Sequence, residues 1–553
     1  MSNTVRARSA ALQKFTGGLN NYWDQSSIAD NELADIVNFE FALNGALTSR
    51  PPIYTEKNSG TVIATPVAGE AIDIIGTYTT NSGTRYLVIT TTSKTWLYNI
   101  ATKAFTQIAT FKASDCAQYD NKILLCSTTV AGGYWENGTY TSTPTMPLLG
   151  GLQLFQNRFF GYGVQGTATA NTVYWSDITT FGASGQLTSI WSWKDSTDNY
   201  YYVEIGTGDG QWITSMILGY NDIVIFRNQS TYRYSYSSTP ALGQMQAMQQ
   251  DIGAENKWSV VKFENAHFVL SGGILYKYQN WLFYPLNAQR VKMGASSDPS
   301  NHRIQNAVSI VGRRCVVWHS GMLYVYNLDT DTWSRWETAS DICYFVTAPK
   351  LYEDTQDIGY YGVSGAANIS GTGVSDHSLW RIEDQPVSST GSEAISCRMQ
   401  TKIYDFDTPV EWKRLYYWGA DVQSANAIKS IAYPVYIPEV KPTATWDEIS
   451  KDYSNEAKFM TWDSLSKDGS GDSVYGTWDA PTSTAGGVST VTTLTANGAP
   501  LRTELKLNYA LRFRRIYFEL YLDCDGTSAT SPVQVFSIIP MVGVKAKVAK
   551  GAN

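Results

Sequence analysis

Apolar and polar residues alternate in short runs along residues 61–392, and Gly, Asn, Asp or Ser interrupts the alternation roughly every ten positions. Residues 318–336 show the pattern most clearly. Residues 323–326 are apolar or aromatic, residues 327–331 are rich in Asn, Asp and Thr, and residues 332–336 alternate again. A strand, a turn and a second strand in this order predict a β-hairpin.

The same hairpin pattern recurs earlier in the chain. Residues 97–106 match residues 325–334 position by position, with the same Tyr-Asn pair, the same Thr and an aromatic residue at the same offset. Turns centred on Asn also precede apolar strands, at Asn121, Asn157, Asn221 and Asn265. Recurring strand-turn-strand units predict a β-propeller, in which each unit is one blade. We predict six to seven blades, at residues 72–109, 115–144, 150–180, 202–237, 250–284, 304–338 and 342–383.

Residues 1–60 predict a separate N-terminal clamp segment that packs onto the propeller. Phe15 stands beside a Gly-Gly turn and is a candidate contact with another subunit or partner. Residues 30–37 predict a short helix, because Asp and Asn at its start are good N-cap residues. Residues 39–41 and 47–50 predict two strands joined by a turn, and the Pro-Pro pair that follows ends the second strand.

A different pattern begins near residue 393. Strand-like runs follow at residues 401–406, 413–418, 511–521 and 533–544. They predict an antiparallel β-sandwich over residues 393–553, so the expected order is clamp segment (1–60), propeller (61–392) and sandwich. Inserted long loops are expected at about residues 437–500, where Thr, Ser, Gly, Asp and Pro dominate.

The inserted loops contain a repeat of the tripeptide Thr-Trp-Asp. Its tryptophans, Trp446, Trp462 and Trp478, are evenly spaced in an otherwise polar region. Large aromatic side chains in such a region need burial, either under the sandwich of the same chain or against a partner. Under the second interpretation, replacing all three by Ala impairs assembly more than folding of the single chain.

Composition favours a folded, mainly β protein. Aromatic residues make up 13% of the 553 residues, and the formal net charge is −7. A negative chain lacks the basic surface that a protein uses to grip nucleic acid by its phosphates. The six cysteines are scattered without a CxxC pair, which favours free and mostly buried thiols. We find no secretory signal and no apolar run long enough for a membrane span.

Two glycine-rich runs resemble ligand-binding loops only in their letters. Residues 161–166 fit the dinucleotide pattern GxGxxG, but residues 167–175 after them predict a strand, not the helix that a phosphate site needs. Residues 206–210 are better explained as a tight turn. The sequence therefore predicts no cofactor site.

Metal chemistry has equally little support. The histidines, His267, His302, His319 and His377, show no HExxH spacing and no neighbouring cysteine pair, and His267 predicts a packed, hydrogen-bonded core side chain. Asp329 and Asp331 lack the Gly and the distal Glu of a calcium loop, so a turn-forming role suffices. We predict no metal site.

An enzymatic alternative is a glycan-cleaving propeller, because paired carboxylates cleave glycosidic bonds on this fold. Acidic candidates exist at Asp195, Asp198, Glu204, Asp209, Asp251 and Glu255. Any acidic chain of this size offers such pairs, and no GxSxG nucleophile motif is present. The sequence therefore predicts no catalytic residue.

Several motifs in a shared order resemble a known family. The N-terminal ones are residues 15–20 (Phe-Thr-Gly-Gly-Leu-Asn), Leu33-Ala34-Asp35, Asn38-Phe39, Gly45-Ala46-Leu47 and Arg50-Pro51. Further matches follow at residues 156–160, 173–177, 206–210, 223–226, 252–254 and 275–276. In this order the motifs, which cover residues 15 to about 420, resemble the tail nozzle proteins of short-tailed bacteriophages, the tail tubular protein B and tail-stabilisation group.

The resemblance implies a structural, non-enzymatic virion protein. It implies a propeller-bearing subunit, usually in a homohexameric ring, below the tail adaptor ring, which forms the distal channel for DNA ejection. Some relatives carry attachment points for fibre, spike or needle proteins. Phage DNA would pass without specific binding, and the protein would be assembled in the host cytoplasm into the tail of the virion. The alternatives are a receptor- or glycan-binding, possibly glycan-cleaving, propeller at the tail tip, and a peripheral tail protein outside the channel.

Overall fold

The computed structural model consists almost entirely of β-strands. It describes residues 7–9, 12–13, 15–58, 61–63, 65–67, 69–177, 192–206, 208–235, 243–294, 304–338, 342–348, 359–364, 379–382, 395–406, 413–423, 428–435, 488–491, 501–513, 515–524 and 534–544. Within these ranges the helical structure is one 3₁₀ turn, Lys257–Ser259. The predicted mainly β fold is confirmed.

The N-terminal strands lie in four different sheets. They are β1 (Ala7–Ser9), β2 (Leu12–Gln13), β3 (Gly18–Leu19), β4 (Glu32–Val37), β5 (Phe39–Phe41), β6 (Leu47–Ser49), β7 (Ile53–Thr55), β8 (Lys57–Asn58) and β9 (Thr61–Val62). One of the four is the two-stranded sheet of β8 and β9. Strands β5 and β6 form the predicted antiparallel hairpin, with Phe41 opposite Leu47.

Seven four-stranded blades follow in the described residues. Blade one is β10 (Asp73–Thr79), β11 (Arg85–Thr90), β12 (Thr95–Asn99) and β13 (Phe105–Ala109). Blade two is β14 (Asp115–Tyr119), β15 (Lys122–Cys126), β16 (Gly133–Glu136) and β17 (Thr139–Ser142). Blade three is β18 (Gly151–Phe155), β19 (Arg158–Tyr162), β20 (Thr172–Trp175) and β21 (Tyr202–Glu204). Blade four is β22 (Ile213–Leu218), β23 (Asp222–Arg227), β24 (Thr231–Ser235) and β25 (Gln244–Gln249).

The remaining blades complete a ring. Blade five is β26 (Val260–Phe263), β27 (Ala266–Ser271), β28 (Ile274–Gln279) and β29 (Leu282–Pro285). Blade six is β30 (Asn306–Val311), β31 (Arg314–His319), β32 (Met322–Asn327) and β33 (Thr332–Trp336). Blade seven is β34 (Ile342–Ala348), β35 (Gly359–Ser364), β36 (Trp380–Ile382) and the N-terminal strand β7. The predicted range of six to seven blades is confirmed.

Hydrogen bonds between blades close the ring. The contacts, in order around it, are Cys116 to Ile75, Leu152 to Asp115, Tyr162 to Thr214, His267 to Leu218, Asn256 to Asn306, Phe345 to Ser309 and Ile74 to Tyr344. Strand β7 is the outermost strand of the last blade although it precedes the first blade in sequence, and its Tyr54 lies opposite Arg381. The two ends of the propeller are therefore joined by a sheet rather than by a loop.

Two sheets beyond blade six form the predicted sandwich. Their C-terminal strands are β37 (Ile395–Thr401), β38 (Lys413–Gln423), β39 (Ile428–Val435), β40 (Val488–Val491), β41 (Leu501–Phe513), β42 (Arg515–Cys524) and β43 (Gln534–Val544). One sheet contains β41, β38, β43, β6 and β5, with β1 and β2 paired to β43. The other runs from blade six through β4 to β37, β42, β39 and β40. Blade six and one sandwich sheet are thus a single ten-stranded sheet.

One hydrophobic core joins the two sandwich sheets to the propeller. From the first sheet it contains Phe39, Phe41, Leu47, Val535, Ile538 and Val542. From the second it contains Leu33, Ile36, Cys397, Met399, Phe518 and Leu520. Phe268 of blade five and Trp333 of blade six pack into the same core. Burial of this continuous apolar surface stabilises sandwich and propeller together.

The helix predicted at residues 30–37 is wrong. Residues Glu32–Val37 form strand β4, which pairs in parallel with blade six at Arg335 and antiparallel with β37. Asp30, which was expected to cap the helix, instead forms an ion pair with Lys402, with a nitrogen–oxygen distance of 2.6 Å. Two distant partner strands decide the conformation here, because tertiary pairing readily overrides a weak local helix preference.

The boundaries of two blades also differ from prediction. Residues 202–204 complete blade three instead of opening blade four, and residues 244–249 are the last strand of blade four. Both strands are outermost in their sheets and carry mostly exposed or half-exposed residues. They therefore lack the apolar alternation from which blades were predicted.

The repeated hairpin is confirmed in both copies. Tyr98 faces Phe105 with ring centroids 5.0 Å apart, and Tyr326 faces Trp333 at 5.1 Å. In each turn an Asn side chain accepts two backbone N–H groups, at 2.9 and 3.0 Å for Asn99. The same pair measures 2.9 and 3.2 Å for Asn327, so the sequence match corresponds to one turn structure used twice.

The shared turn structure predicts similar costs for two substitutions, with a small excess at Asn327, whose amide also donates to the Phe41 carbonyl at 3.3 Å. Asn99→Ala and Asn327→Ala should each lower the free energy of unfolding by about 1–2 kcal/mol, because each leaves two turn amides without their acceptor. Urea unfolding of both variants measures this, with Asn44→Ala in the β5–β6 turn as control, since Asn44 accepts one amide, from Ala46 at 3.0 Å. A difference between the two variants clearly larger than this excess would contradict the equivalence of the turns.

Candidate functional site

The segment before blade five crosses the axis of the propeller. Lys257 donates from its Nζ to the carbonyl of Ser114, at the start of blade two. Blade two is three positions away from blade five in a ring of seven, so this contact spans the centre. Asn256 caps the turn by accepting the Trp258 N–H at 2.8 Å and donates to the Asn306 carbonyl of blade six at 2.9 Å.

Trp258 fills the space beside Lys257. Its ring stacks on Tyr344 of blade seven, with centroids 4.3 Å apart and planes 16° apart. The same indole packs against the buried clusters of blades one, two and seven. The axis of this propeller is therefore blocked by side chains, and no open passage runs through the ring of blades at this level.

A partly buried carboxyl group, that of Asp115, lies at the far end of the same bridge. Asp115 accepts the backbone N–H of Leu152 at 2.9 Å. Burial raises the pKa of Asp115, and the nearby Lys257 ammonium counteracts that rise. Burial likewise raises the pKa of the neighbouring thiols of Cys116 and Cys126, the latter to about 12, so neither is a reactive thiolate.

The bridge should make stability depend on pH in a defined way. A carboxyl whose folded-state pKa is raised supports folding fully below its unfolded pKa and loses that support as pH rises through the folded pKa. Lys257→Met removes the compensating charge and should cost about 1–3 kcal/mol at pH 8, and less at pH 5. Urea unfolding at both pH values measures this. In the double variant Lys257→Met with Asp115→Asn, the cost should be the same at both pH values. A cost that still depends on pH would mean that a group other than Asp115 is responsible.

A cavity of about 660 Å³ opens beside Trp258, between the inner strands of blades five, six and seven. Its walls are mainly apolar and include Val261, Phe263, Val308 and Val346. No carboxylate or histidine is among the described residues that line it. The cavity thus offers apolar surface but no acid–base pair.

A second candidate region is the junction between the N-terminal segment, blade six and the sandwich. Asn38, with φ at +58°, donates to the Ser396 carbonyl of β37 at 2.7 Å. Its side-chain oxygen accepts the Glu337 N–H at 2.8 Å and the Arg50 Nε–H at 2.9 Å. One buried amide therefore connects three parts of the chain, and Asn is a residue that tolerates this backbone conformation.

Charged side chains reinforce the junction. The Arg50 guanidinium is buried and also donates to the carbonyls of Pro51, at 3.1 Å, and Glu337, at 2.9 Å. Asp35 pairs with Arg335 of blade six at 2.9 Å and with Arg398 of the sandwich at 2.8 Å. These are the positions that carry the family resemblance, and here their contacts are internal to the chain.

Phe15 also lies inside this chain. It is 3% exposed and belongs to the core shared by sandwich and propeller. The Gly18 that follows it has φ at +76°, and a Cβ there would lie 2.9 Å from the Trp333 backbone nitrogen. The observed role of Phe15 is thus intramolecular packing, and its predicted contact with a partner stays a prediction. Trp446, Trp462 and Trp478 lie outside the described residues.

The other candidates have structural roles where they are described. His267 is buried and bonds the Leu218 carbonyl at 2.8 Å, as predicted, and burial lowers its pKa. His319 and Glu255 meet through Asn306 between blades five and six. Asp209 pairs with the buried Arg227. His302 and His377 lie outside the described residues.

The remaining acidic candidates and the cysteines add no reactive group. Asp195 accepts turn N–H groups from Thr197 and Asn199, at 2.8 and 2.9 Å, and Asp198 pairs with Lys194 at 3.0 Å. The cysteines whose side chains the structure describes are free thiols. Cys116 is half-buried, and the others are buried: Cys126, Cys315, Cys343 and Cys397. Over the described ranges, no cluster of three or more His, Cys, Asp or Glu is placed to hold a metal. Nor do those ranges contain a helix long and apolar enough to cross a bilayer.

Sequence reasoning missed Lys257, Trp258 and Asp115. The signal was present in part, because Asn256 is a good cap for the turn that follows it. What the sequence lacked was any indication that this turn faces blade two. That position follows only from closure of the ring.

Comparison with known proteins finds only distant structural similarity. No protein-family model and no curated protein matches the chain. BamB from Moraxella catarrhalis is 11% identical with a TM-score of 0.35, over 62% of this chain and 95% of that one. U3-55K is 9% identical with a TM-score of 0.38, over 60% and 98%. The extracellular domain of a putative hybrid two-component system from B. thetaiotaomicron is 12% identical with a TM-score of 0.38, over 66% and 43%. Similarity this low carries no functional inference.

Proposed function

We propose that this chain is a structural, non-enzymatic subunit of a bacteriophage tail nozzle, a ring through which phage DNA is ejected. The observation that carries the proposal is the place of the residues that resemble the nozzle family. Asp35, Asn38 and Arg50 all lie in one junction that fixes the propeller to the sandwich. A subunit of a rigid ring needs its domains held at a fixed angle, and this junction supplies that restraint.

The side chains that bridge the axis of the propeller support a channel formed between several chains. Lys257 and Trp258 occupy the centre of the blades, so a duplex has no path through a single chain. A channel therefore requires several copies of the chain around a common axis. This fits the homohexameric ring that the family resemblance implies.

The charge of the chain is compatible with passage of DNA without binding. A net charge of −7 disfavours the phosphate neutralisation that would hold a polyanion in the channel. In this proposal the ring sits below the tail adaptor ring and contacts fibre, spike or needle proteins. It is assembled in the host cytoplasm and resides in the tail of the virion.

Electron microscopy of the purified full-length chain tests the proposal. The expected result is a six-fold ring with an open centre, and weak binding of duplex DNA even at low salt. A chain that stays monomeric at all concentrations, in the presence and absence of an adaptor protein, contradicts it. Rings that bind duplex DNA tightly, with a steep dependence on salt, contradict the proposed free passage.

The second candidate function is glycan or receptor binding at the tail tip. Exposed aromatic side chains at the outer edge of blade three favour it, Tyr202 on the outer strand and Tyr200 just before it, since aromatic rings are common contact residues on exposed surfaces. Saturable binding of host surface polysaccharide by a monomeric chain, with or without cleavage, would support this function over the nozzle.

A further inference from the structure

The outer edge of blade five exposes apolar side chains. Trp281 and Tyr284 are about half exposed, and Leu282 is 57% exposed. Strand β29 is the last strand of its four-stranded sheet, so its outer backbone edge has no strand partner in the described residues. We call Trp281, Leu282 and Tyr284 the blade-five edge. An uncovered apolar strand at a sheet edge is a surface on which other chains pair or pack.

The backbone at Trp281 makes the exposure of its ring notable. Asn280 and Trp281 have φ values of +52° and +72° and form the two-residue turn between β28 and β29. Such a turn favours Gly at its second position, and a bulky residue there is an outlier. The Arg233 guanidinium of blade four lies over the indole, 3.2 Å from the ring centroid, and is itself paired with Asp222. The turn geometry itself does not favour Trp, and Arg233 covers only part of the ring, which remains 46% exposed and available for a contact with another chain.

A complementary surface lies on the outer strand of blade three and on the turn just before it. Tyr200 is 37% exposed and Tyr202 is 53% exposed. Glu204 is also exposed, and it lies two positions after Tyr202 on β21, so both side chains are on the same face of the strand. We call Asp198, Tyr200, Tyr202 and Glu204 the blade-three edge. Like the blade-five edge, it combines exposed aromatic rings with an outermost strand.

The two edges carry opposite charge. Around the blade-three edge, the carboxylates of Asp195, Asp198 and Glu204 outnumber Lys194. Around the blade-five edge, Lys277 and Arg233 outnumber Asp222, and Lys277 lies directly opposite Tyr284 in the sheet. Complementary charge of this kind selects a partner and fixes its orientation.

The edges belong to blades two positions apart, so they point in different directions on one chain and cannot meet each other. Between copies they can meet, and repetition of such a head-to-tail contact closes a ring. We propose that the blade-five edge of one chain docks on the blade-three edge of the next copy. This inference rests on the proposed nozzle function and names the contact that would build its ring.

Assembly of variants of the full-length protein tests the contact. Trp281→Gly should change the melting temperature of the single chain by only a few degrees, because glycine suits the turn and this gain offsets the lost contact with Arg233. It should raise the protein concentration needed for half-assembly at least tenfold, measured by mass photometry or sedimentation velocity. Leu282→Ser is the second variant should Trp281→Gly fold poorly. Leu43→Ser, at an 83% exposed position of the β5–β6 turn, is the matched control and should assemble like the wild type.

A charge exchange identifies the partner surface. Lys277→Glu and Glu204→Lys should each weaken assembly at least tenfold, and the double variant should return to within threefold of the wild type. A wild-type ring that forms equally well with all blade-five variants overturns this contact but leaves the nozzle function intact. Loss of assembly without rescue by the double variant overturns the assignment to blade three, and an equal loss in Leu43→Ser overturns the specificity of both edges. A wild type that forms no ring refutes the proposed function itself.

Discussion

Glu56→Gln should lower the free energy of unfolding by about 3–5 kcal/mol, the largest loss we expect from a single isosteric substitution in this chain. Glu56 directly follows β7, the strand that closes the propeller, and its side chain is 2% exposed. Its carboxylate pairs with Lys103 of blade one and lies 4.0 Å from Arg381 of blade seven. Tyr98 of blade one also donates to it, at 3.4 Å. A neutral amide would leave two poorly hydrated cations facing each other where the first and last blades meet.

Urea unfolding at pH 7 measures the effect. Glu264→Gln is the matched control, because Glu264 pairs with Arg313 at 2.6 Å but both side chains are more than half exposed. That change should cost less than about 1 kcal/mol. Lys103→Met should cost less than Glu56→Gln, since Glu56 would keep its second cation. If Glu56→Gln lowers the free energy of unfolding no more than the control does, closure of the ring does not depend on this carboxylate.

Arg50→Met should lower the free energy of unfolding by about 3 kcal/mol and uncouple the sandwich from the propeller. The variant removes the donor to Asn38, Pro51 and Glu337, and each lost bond from a charged donor costs about 1.5–3 kcal/mol before relaxation. Met retains most of the apolar volume of the side chain, so the loss reports on the hydrogen bonds. Differential scanning calorimetry should then show two transitions in place of a more cooperative one.

Arg313→Met provides the comparison for this result. Arg313 is a half-exposed arginine of the same blade six region, paired with Glu264 and Asp329 on the surface. Its loss should cost less than about 1 kcal/mol and leave the shape of the transition unchanged. Limited proteolysis of Arg50→Met should release a propeller fragment earlier than from the wild type. An unchanged transition and an unchanged digestion pattern would mean that the shared hydrophobic core alone couples the two parts.

The sequence predicts structure best where strand partners are neighbours along the chain. The turns at Asn99 and Asn327 were recognisable because the turn residues and both flanking strands lie within a few positions. Strand β4 was not, since its partners at Arg335 and Arg398 are hundreds of residues away and outweigh a local helix signal. The three-residue strand β21 was assigned to the wrong blade for a related reason, because an exposed outer strand leaves little hydrophobic pattern.

The candidate site was less predictable than the fold. From the sequence, Lys257 would be expected to be an ordinary solvent-exposed lysine. It lies beside Ser114 and Asp115 only because the seven blades close into a ring. The motifs that suggested a family were visible, yet their role as an internal junction was not, because Asn38 acquires its partners from three separate segments. Trp281 could not be singled out either, since its significance depends on a backbone angle.

The pairing of β7 with β36 also determines when the propeller can close during synthesis. Residues 53–55 leave the ribosome early, but their partner β36 follows about 330 residues later, which at about 5–20 residues per second is a delay of roughly 15–65 s. The outer edge of β6 waits longer still, because it pairs with β43. Nascent chains therefore carry unpaired strands until these distant partners are made, so slow maturation, a need for chaperones and poor tolerance of the loss of β7 or β43 are consequences of the connectivity itself.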